Sequence, residues 1–361
     1  MIGLGSAVGA TLTAGAGHAA DGPLYVTAVK GDDGAHAVAA FTADGVVRFK
    51  TRLPGRGHDA VRRPGTNEVI VFARRPGDWA TVVDLATGQV RQVILAPKGR
   101  HFYGHGAFVT DGQLLHATEN NMATGQGVIG LYDATDHYRR KGELPSFGIG
   151  PHELAPRPRA GGLVIANGGI RTHPDSGREM LNADAMEPGL AVLDPETGDC
   201  RLKADLGPDN RGLSIRHLTV ARDGTTFFGC QFHGDPFDMP LLVGAMTPDG
   251  RIHFLDMPDE ALAALNNYVG SVALDRSGEV VAVTSPRGGT AAFWDRASGR
   301  YLGRRPMPDV CGLAAAAAPE AFVLTSGNAG IATTQIPFES IERLGAPDLS
   351  RWVWDNHVLL T

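Results

Sequence analysis

Five histidines, His58, His105, His152, His217 and His357, occupy one recurring place in this chain: each follows a loop and opens a short apolar run. After His58, His105 and His217 a turn glycine arrives seven residues later, at Gly65, Gly112 and Gly224. A shared register of this kind marks an internal repeat, and a repeat constrains the fold more than any single motif. The unit opening at His58 reads HDAVRRPGTNEVIVFARR, a loop, then ATVVDLATGQVRQVIL. That is strand, turn, strand, loop, strand, turn, strand. Comparable units open at His105, His152 and His217. A fifth has Ser271 in the histidine slot, with Gly278 seven residues on, and a looser sixth has Cys311 or Gly312 there.

Alternating β-branched and aromatic runs, bounded by DG, PG, TG and SG turns, indicate strands, and four strands per unit of about 40–60 residues indicate propeller blades. The N-terminal stretch supplies only three strands, and the C-terminal WDNHVLLT supplies one more, carrying His357. Joining them completes a seventh blade from both chain ends and removes free sheet edges. The expected fold is all-β: a seven-bladed β-propeller whose ring closes by pairing the C-terminal strand with the N-terminal blade. It forms one domain over residues 23–361. The abundant turn residues, 48 glycines and 23 prolines, suit many short strands. A β-sandwich does not account for the D-x-x-(T/S)-G string that recurs at Asp84–Gly88, Asp194–Gly198 and Asp295–Gly299. WD-repeat propellers share a Gly-His dipeptide and a Trp-Asp strand end, here at Gly57-His58, Gly104-His105 and Trp294-Asp295, but most units lack the tryptophan.

Residues 1–22 are small and mildly apolar, and read as the truncated back half of an export signal or as a disordered tail. A net charge of −6 gives no basic bias toward nucleic acid or an anionic membrane. No later run is apolar enough for a transmembrane helix. Cys200, Cys230 and Cys311 are widely spaced and form no CxxC pair. A disulfide between two of them is open, and Cys230, in an apolar run, reads as a core residue.

In a propeller the first strand of each blade lines the central channel. The five histidines, with Ser271 and Cys311, therefore form a collar at one mouth. Imidazole is the commonest transition-metal ligand, and several that converge suit iron, copper or zinc. Asp59 and Glu153, each next to a collar histidine, are candidates to ligate or to orient the rings. The plainer alternative is that these histidines only hydrogen-bond neighbouring backbone or surround a wet mouth. The longer inserts fall on the same face and add Glu119, Asn120, Arg171, His173, Arg178 and His233. His101, Tyr103, Tyr268 and Arg287 complete the candidate ligand or partner face, and Arg171 and Arg178 flanking His173 suit an anion. No GxSxG elbow, Walker loop, HExxH helix or dinucleotide fingerprint is present, so no catalytic residue stands out.

The strings RGHDAVRRP, VFARRPG, GRHFYGHGAF, GIGPHELAPRP, ANGGIRTHPDSGR, LSIRHL, VTSPRGG and WDNHV resemble the bacterial family called domain of unknown function 1513, over nearly the whole chain after residue 22. The resemblance implies a seven-bladed propeller and a periplasmic location reached by a twin-arginine signal. It also implies a genetic neighbourhood of imelysin-type, iron-associated proteins. No twin-arginine precedes the apolar segment here. The resemblance carries no activity with it. Three functions follow as expectations: a metal-binding propeller in iron or copper handling, partnered by periplasmic metal-uptake proteins; a metal-free docking platform for a partner protein; or an enzyme, a lyase or redox protein, at the channel mouth.

Overall fold

The computed structural model describes residues 22–361 apart from Thr110, Arg178 and Ala346. Seven antiparallel sheets follow one another along the chain. Blade 1 holds Tyr25–Lys30, His36–Phe41 and Val47–Arg52. Blades 2 to 7 occupy residues 57–95, 100–145, 151–205, 213–254, 271–306 and 310–344, with four strands each. The fold is the expected seven-bladed propeller.

Ring closure is finer-grained than the sequence suggested. The C-terminal strand is split into Val353–Trp354 and Leu359–Leu360, both paired antiparallel with Tyr25–Lys30. The four residues between them, Asp355 to Val358, leave the ladder, and His357 is carried on this break.

The middle strands are buried on both faces. Val69 to Ala73, Leu163 to Asn167 and Val280 to Ser285 are buried throughout. The outermost strands alternate, as Val47–Arg52 does, with one face toward water. Apolar clusters bridge neighbouring blades: Ile70, Phe72 and Val82 of blade 2 pack on Phe102, Leu115 and Tyr132 of blade 3. Phe293 of blade 6 stacks on Phe338 beyond blade 7's third strand, centroids 3.9 Å apart. Each blade thus buries its faces only against its neighbours, as expected of a repeat array.

The D-x-x-(T/S)-G string is a turn device. Asp84 Oδ1 accepts from the amides of Ala86 and Thr87 and from the Thr87 hydroxyl, and Gly88 follows at φ +70°. Asp194 and Asp295 repeat the pattern ahead of Gly198 and Gly299, at φ +78° and +69°. The carboxylate satisfies amides that the hairpin leaves unpaired, and the left-handed position calls for glycine. The sequence did not announce one short helix, Asp259–Ala264, between blades 5 and 6.

Candidate metal centre at the channel mouth

The inner strands slip register where the collar sits. In blade 4 Pro151 pairs Asn167 and Glu153 pairs Ala166, so His152 is extra. The slip in blade 2 spans Gly57 to Ala60, around His58. In blade 5 it falls between Ile215 and His217, and in blade 7 between Val310 and Gly312. Blade 3 has the largest, Phe102 to Gly106, ahead of which stands His105. Blade 6, with Ser271 in the slot, pairs in regular register. A bulge re-aims the side chain at its extra residue; that residue is His152 in blade 4, Arg216 beside His217 in blade 5 and Cys311 in blade 7.

The five imidazoles meet. Eight of their ten pairs are in ring contact, with centroids 4.6–5.9 Å apart. Among the described residues no ring contact joins His58 to His217 or His152 to His357. Four rings therefore form a circle: His58–His152 5.9 Å, His152–His217 4.9 Å, His217–His357 4.6 Å and His357–His58 4.7 Å. His105 touches all four, at 4.9, 5.0, 5.8 and 4.9 Å. His105 thus sits against all four members of the circle, although His58–His152 and His105–His217 are about 1 Å wider than the other contacts. Rings bound at about 2.1 Å around one six-coordinate ion would place cis centroids about 4.5 Å apart and trans centroids about 6.4 Å apart. Ligand atoms of His58, His105 and His152 lie within 4.8 Å of one another, as do those of His105, His217 and His357.

Hydrogen bonds from one blade to another hold the rings. His105 Nδ1 lies 3.0 Å from Asp59 Oδ2, and His217 Nδ1 lies 3.0 Å from Glu153 Oε2. Ser271 Oγ donates to the Asn356 carbonyl at 3.2 Å and lies 3.1 Å from His357 Nδ1. With Nδ1–H committed outward, Nε2 keeps its lone pair for the centre. His58 Nδ1 comes only to 3.7 Å from Asp355 Oδ1. His105 Nε2, His357 Nε2, His58 Nδ1 and His152 Nδ1 are buried with no hydrogen-bond partner. Each such group costs about 1–3 kcal/mol unless something satisfies it.

Burial, and then neighbouring imidazoles or arginine, hold His58, His152, His217 and His357 well below the usual histidine pKa. All four rings are neutral near pH 7 and able to donate lone pairs. Burial and the charge of Asp59 push the Glu153 carboxyl well up. Burial acts upward on Asp59 too, but its hydrogen bond with His105 and the electrostatic pull of the neighbouring imidazoles bring it below the usual range. A cation among the rings would favour ionisation of both carboxyls.

Other sequence candidates fall in different places. Cys311 is in the column but turns away: its thiol contacts the carbonyls of Asp355 at 3.2 Å and Trp354 at 3.3 Å, in the seam between blades 7 and 1. Burial holds that thiol well above its ordinary pKa, and it belongs to neither imidazole group. Glu119, taken for a loop residue, lies in the strand Leu114–Asn121. It is fully buried and bonded to Tyr132 and Arg140, making an ion pair inside blade 3 and no part of the mouth. Asn120 and His101 are also buried. Asn120 Nδ2 donates to the Thr172 carbonyl, and His101 Nδ1 lies 3.1 Å from the Phe102 carbonyl. His173 caps the turn Pro174–Ser176 by accepting from the Asp175 amide, and Arg171 is exposed. Arg178 lies outside the described residues, as does the expected leader up to residue 21. The three cysteines are unpaired, and Cys230 is a buried core residue.

Tyr103 and Tyr268 stand beside three of the collar histidines. With His58, His152, His217, Gln231 and Asn356 they line a cavity of about 30 Å³ that also receives Arg74, Arg75 and Arg216. Arg287 stacks on Tyr268 at 4.6 Å and Arg75 on Tyr103 at 5.5 Å. Burial, then Arg216, Arg287 and Arg75, hold the His233 pKa at about 4, so His233 sits in the same positive field. Sequence reasoning passed over Arg74, Arg75, Arg216, Asp355 and Asn356. The signal was adjacency: Arg216 precedes His217, and Asp355 and Asn356 precede His357.

Among solved structures, this chain is similar to the hydrazine synthase of Kuenenia stuttgartiensis, at 14% identity and TM-score 0.63, covering 92% of this chain and 100% of that one. It is also similar to a functionally unknown protein from Desulfotomaculum acetoxidans DSM 771, at 11% identity and TM-score 0.60, covering 94% and 99%. At such identity the likeness shows the fold alone. No curated protein matches. The model of the family "Protein of unknown function (DUF1513)" matches residues 51–361, all seven collar positions included, and the chain belongs to that family.

Proposed function

We propose that the chain binds one transition-metal ion through His58, His105, His152, His217 and His357, and serves iron or copper handling in the periplasm. One observation carries this reading: imidazoles from five blades are in mutual ring contact, their ligand atoms fall in two triads that share His105, and Nε2 of His105 and His357 is buried without a hydrogen-bond partner. Water would satisfy such atoms singly, but the outward hydrogen bonds to Asp59, Glu153 and Ser271 fix three rings in the orientation that a ligand needs. Five nitrogen donors suit six-coordinate iron first and tetragonal copper second. Zinc prefers four ligands, and the thiol that would have favoured copper or zinc faces away. Metal content of protein purified without a histidine tag tests the reading. The expected result is about one ion per chain, lost when His105 and His152 are both changed to alanine. Protein that is metal-free and ignores added iron, copper and zinc would end it.

The docking platform is the second reading, favoured by Phe237, 91% exposed on the 231–240 insert, with Met239 half exposed beside it. Capture of a periplasmic partner that Phe237→Ser abolishes, with metal content unchanged, would support it.

A further inference from the structure

The ring cluster has an open side. His105 is 1% exposed, and the cavity at the mouth is lined by His58, His152 and His217 but not by His105 or His357. The cavity therefore lies on the side of the ring cluster away from His105 and His357. Its other walls include Arg75 and Arg216 with Tyr103, Tyr268, Gln231 and Asn356. Arg216 is 4% exposed, and Arg75 Nη1 is buried with no acceptor. Arg74, also on the wall, pairs with Asp355 at 3.2 Å.

Resting on the metal reading above, we infer that this cavity is a subsite for a small anion that coordinates the bound ion at its sixth position. Arg75 and Arg216 supply the charge and the hydrogen bonds. Guanidinium groups match the planar face of an oxyanion, and a metal beside them adds to the same attraction. Size sets the class. One water occupies about 10–15 Å³ of such space, so about 30 Å³ accepts two waters or one anion of three or four heavy atoms. Formate, nitrite and bicarbonate fit, whereas a citrate-sized chelator does not.

The test uses the full chain loaded with iron(III) or copper(II), with the ion counted in every sample. Azide, a three-atom anion that gives a charge-transfer band on either metal, is titrated and then displaced by formate. Saturable azide binding, one per bound ion, with citrate unable to compete, is expected. Arg75→Met and Arg216→Met each weaken azide at least tenfold per bound ion, and Arg75→Lys weakens it less. An ion that is bound but shows no azide band, or azide affinity unchanged in both methionine variants, overturns the subsite and leaves the metal reading standing. Failure to take up any ion overturns both.

Discussion

Two kinds of residue make the proposed metal centre, the histidines and the residues that hold them. Asp59 and Glu153 follow His58 and His152 in the sequence, yet each reaches into the next blade, to His105 and His217. Partners of this kind are commonly worth 10–100-fold in metal affinity. Asp59→Asn and Glu153→Gln are therefore expected to weaken the ion by that order in a competition titration with a chelator, while circular dichroism stays unchanged. Gly104 has a different role. Its φ is +108°, and a β-carbon there would lie 2.5 Å from His58 Cδ2. Gly104→Ala is expected to destabilise the chain by about 1–3 kcal/mol through backbone strain, and to lower metal affinity by pushing the His58 ring aside. Cys311→Ala should leave metal stoichiometry untouched, since the thiol serves the seam between blades 7 and 1. A loss of metal in that variant would put the thiol back among the ligands.

Among the elements, the bulge is the deciding device. A regular inner strand would send alternate residues to the two sheet faces, toward neighbouring blades and away from the channel. The extra residue at His152, and the longer slip ahead of His105, break that alternation where a ring must point inward. Blade 6 lacks the slip and carries Ser271, which holds His357 in place of contributing a ring. The closing segment joins fold and site. Its two short strands pair with Tyr25–Lys30, Trp354 is buried in the seam, and His357 stands between them. Trp354→Ala is expected to cost about 3–5 kcal/mol and to lower metal retention together with thermal stability. Retention unchanged at reduced stability would separate the closure from the centre.

For the whole molecule, the site makes stability depend on pH. His58, His152, His217 and His357 are held below the ordinary histidine pKa of 6.5. Above that value folded and unfolded chains are both neutral at these rings. Below it the unfolded chain takes up protons that the folded one refuses, so stability is lost as pH falls, by about 1.4 kcal/mol per pH unit for each such ring. Glu153, raised, works in the opposite sense, one group against four. Urea unfolding of the metal-free chain should show a lower midpoint at pH 5.5 than at pH 7.5. At pH 7.5 a bound ion should raise the midpoint by mass action. Equal midpoints at the two pH values would mean that the rings are hydrated and titrate freely.

The repeat was legible because a propeller blade is local: hairpins, turn aspartates and glycines lie within one unit, so their spacing survives in the linear chain. The histidine column was legible for the same reason, and His357 at the far terminus pointed to closure. Side-chain direction was not legible. Whether Cys311 faces the channel or the seam depends on a bulge and on what the closing segment presents to it. Glu119 looked like a loop residue because the strand runs to Asn121, and only Tyr132 and Arg140 close around its carboxylate. The arginines around the mouth were hidden because Arg75 and Arg216 are some 140 residues apart and meet only through ring closure. Local periodicity specified the blades and the register of the collar. The contacts of His105 with the other four rings and the outward hydrogen bonds came from packing seven blades around one axis, because those contacts join residues that no repeat period relates.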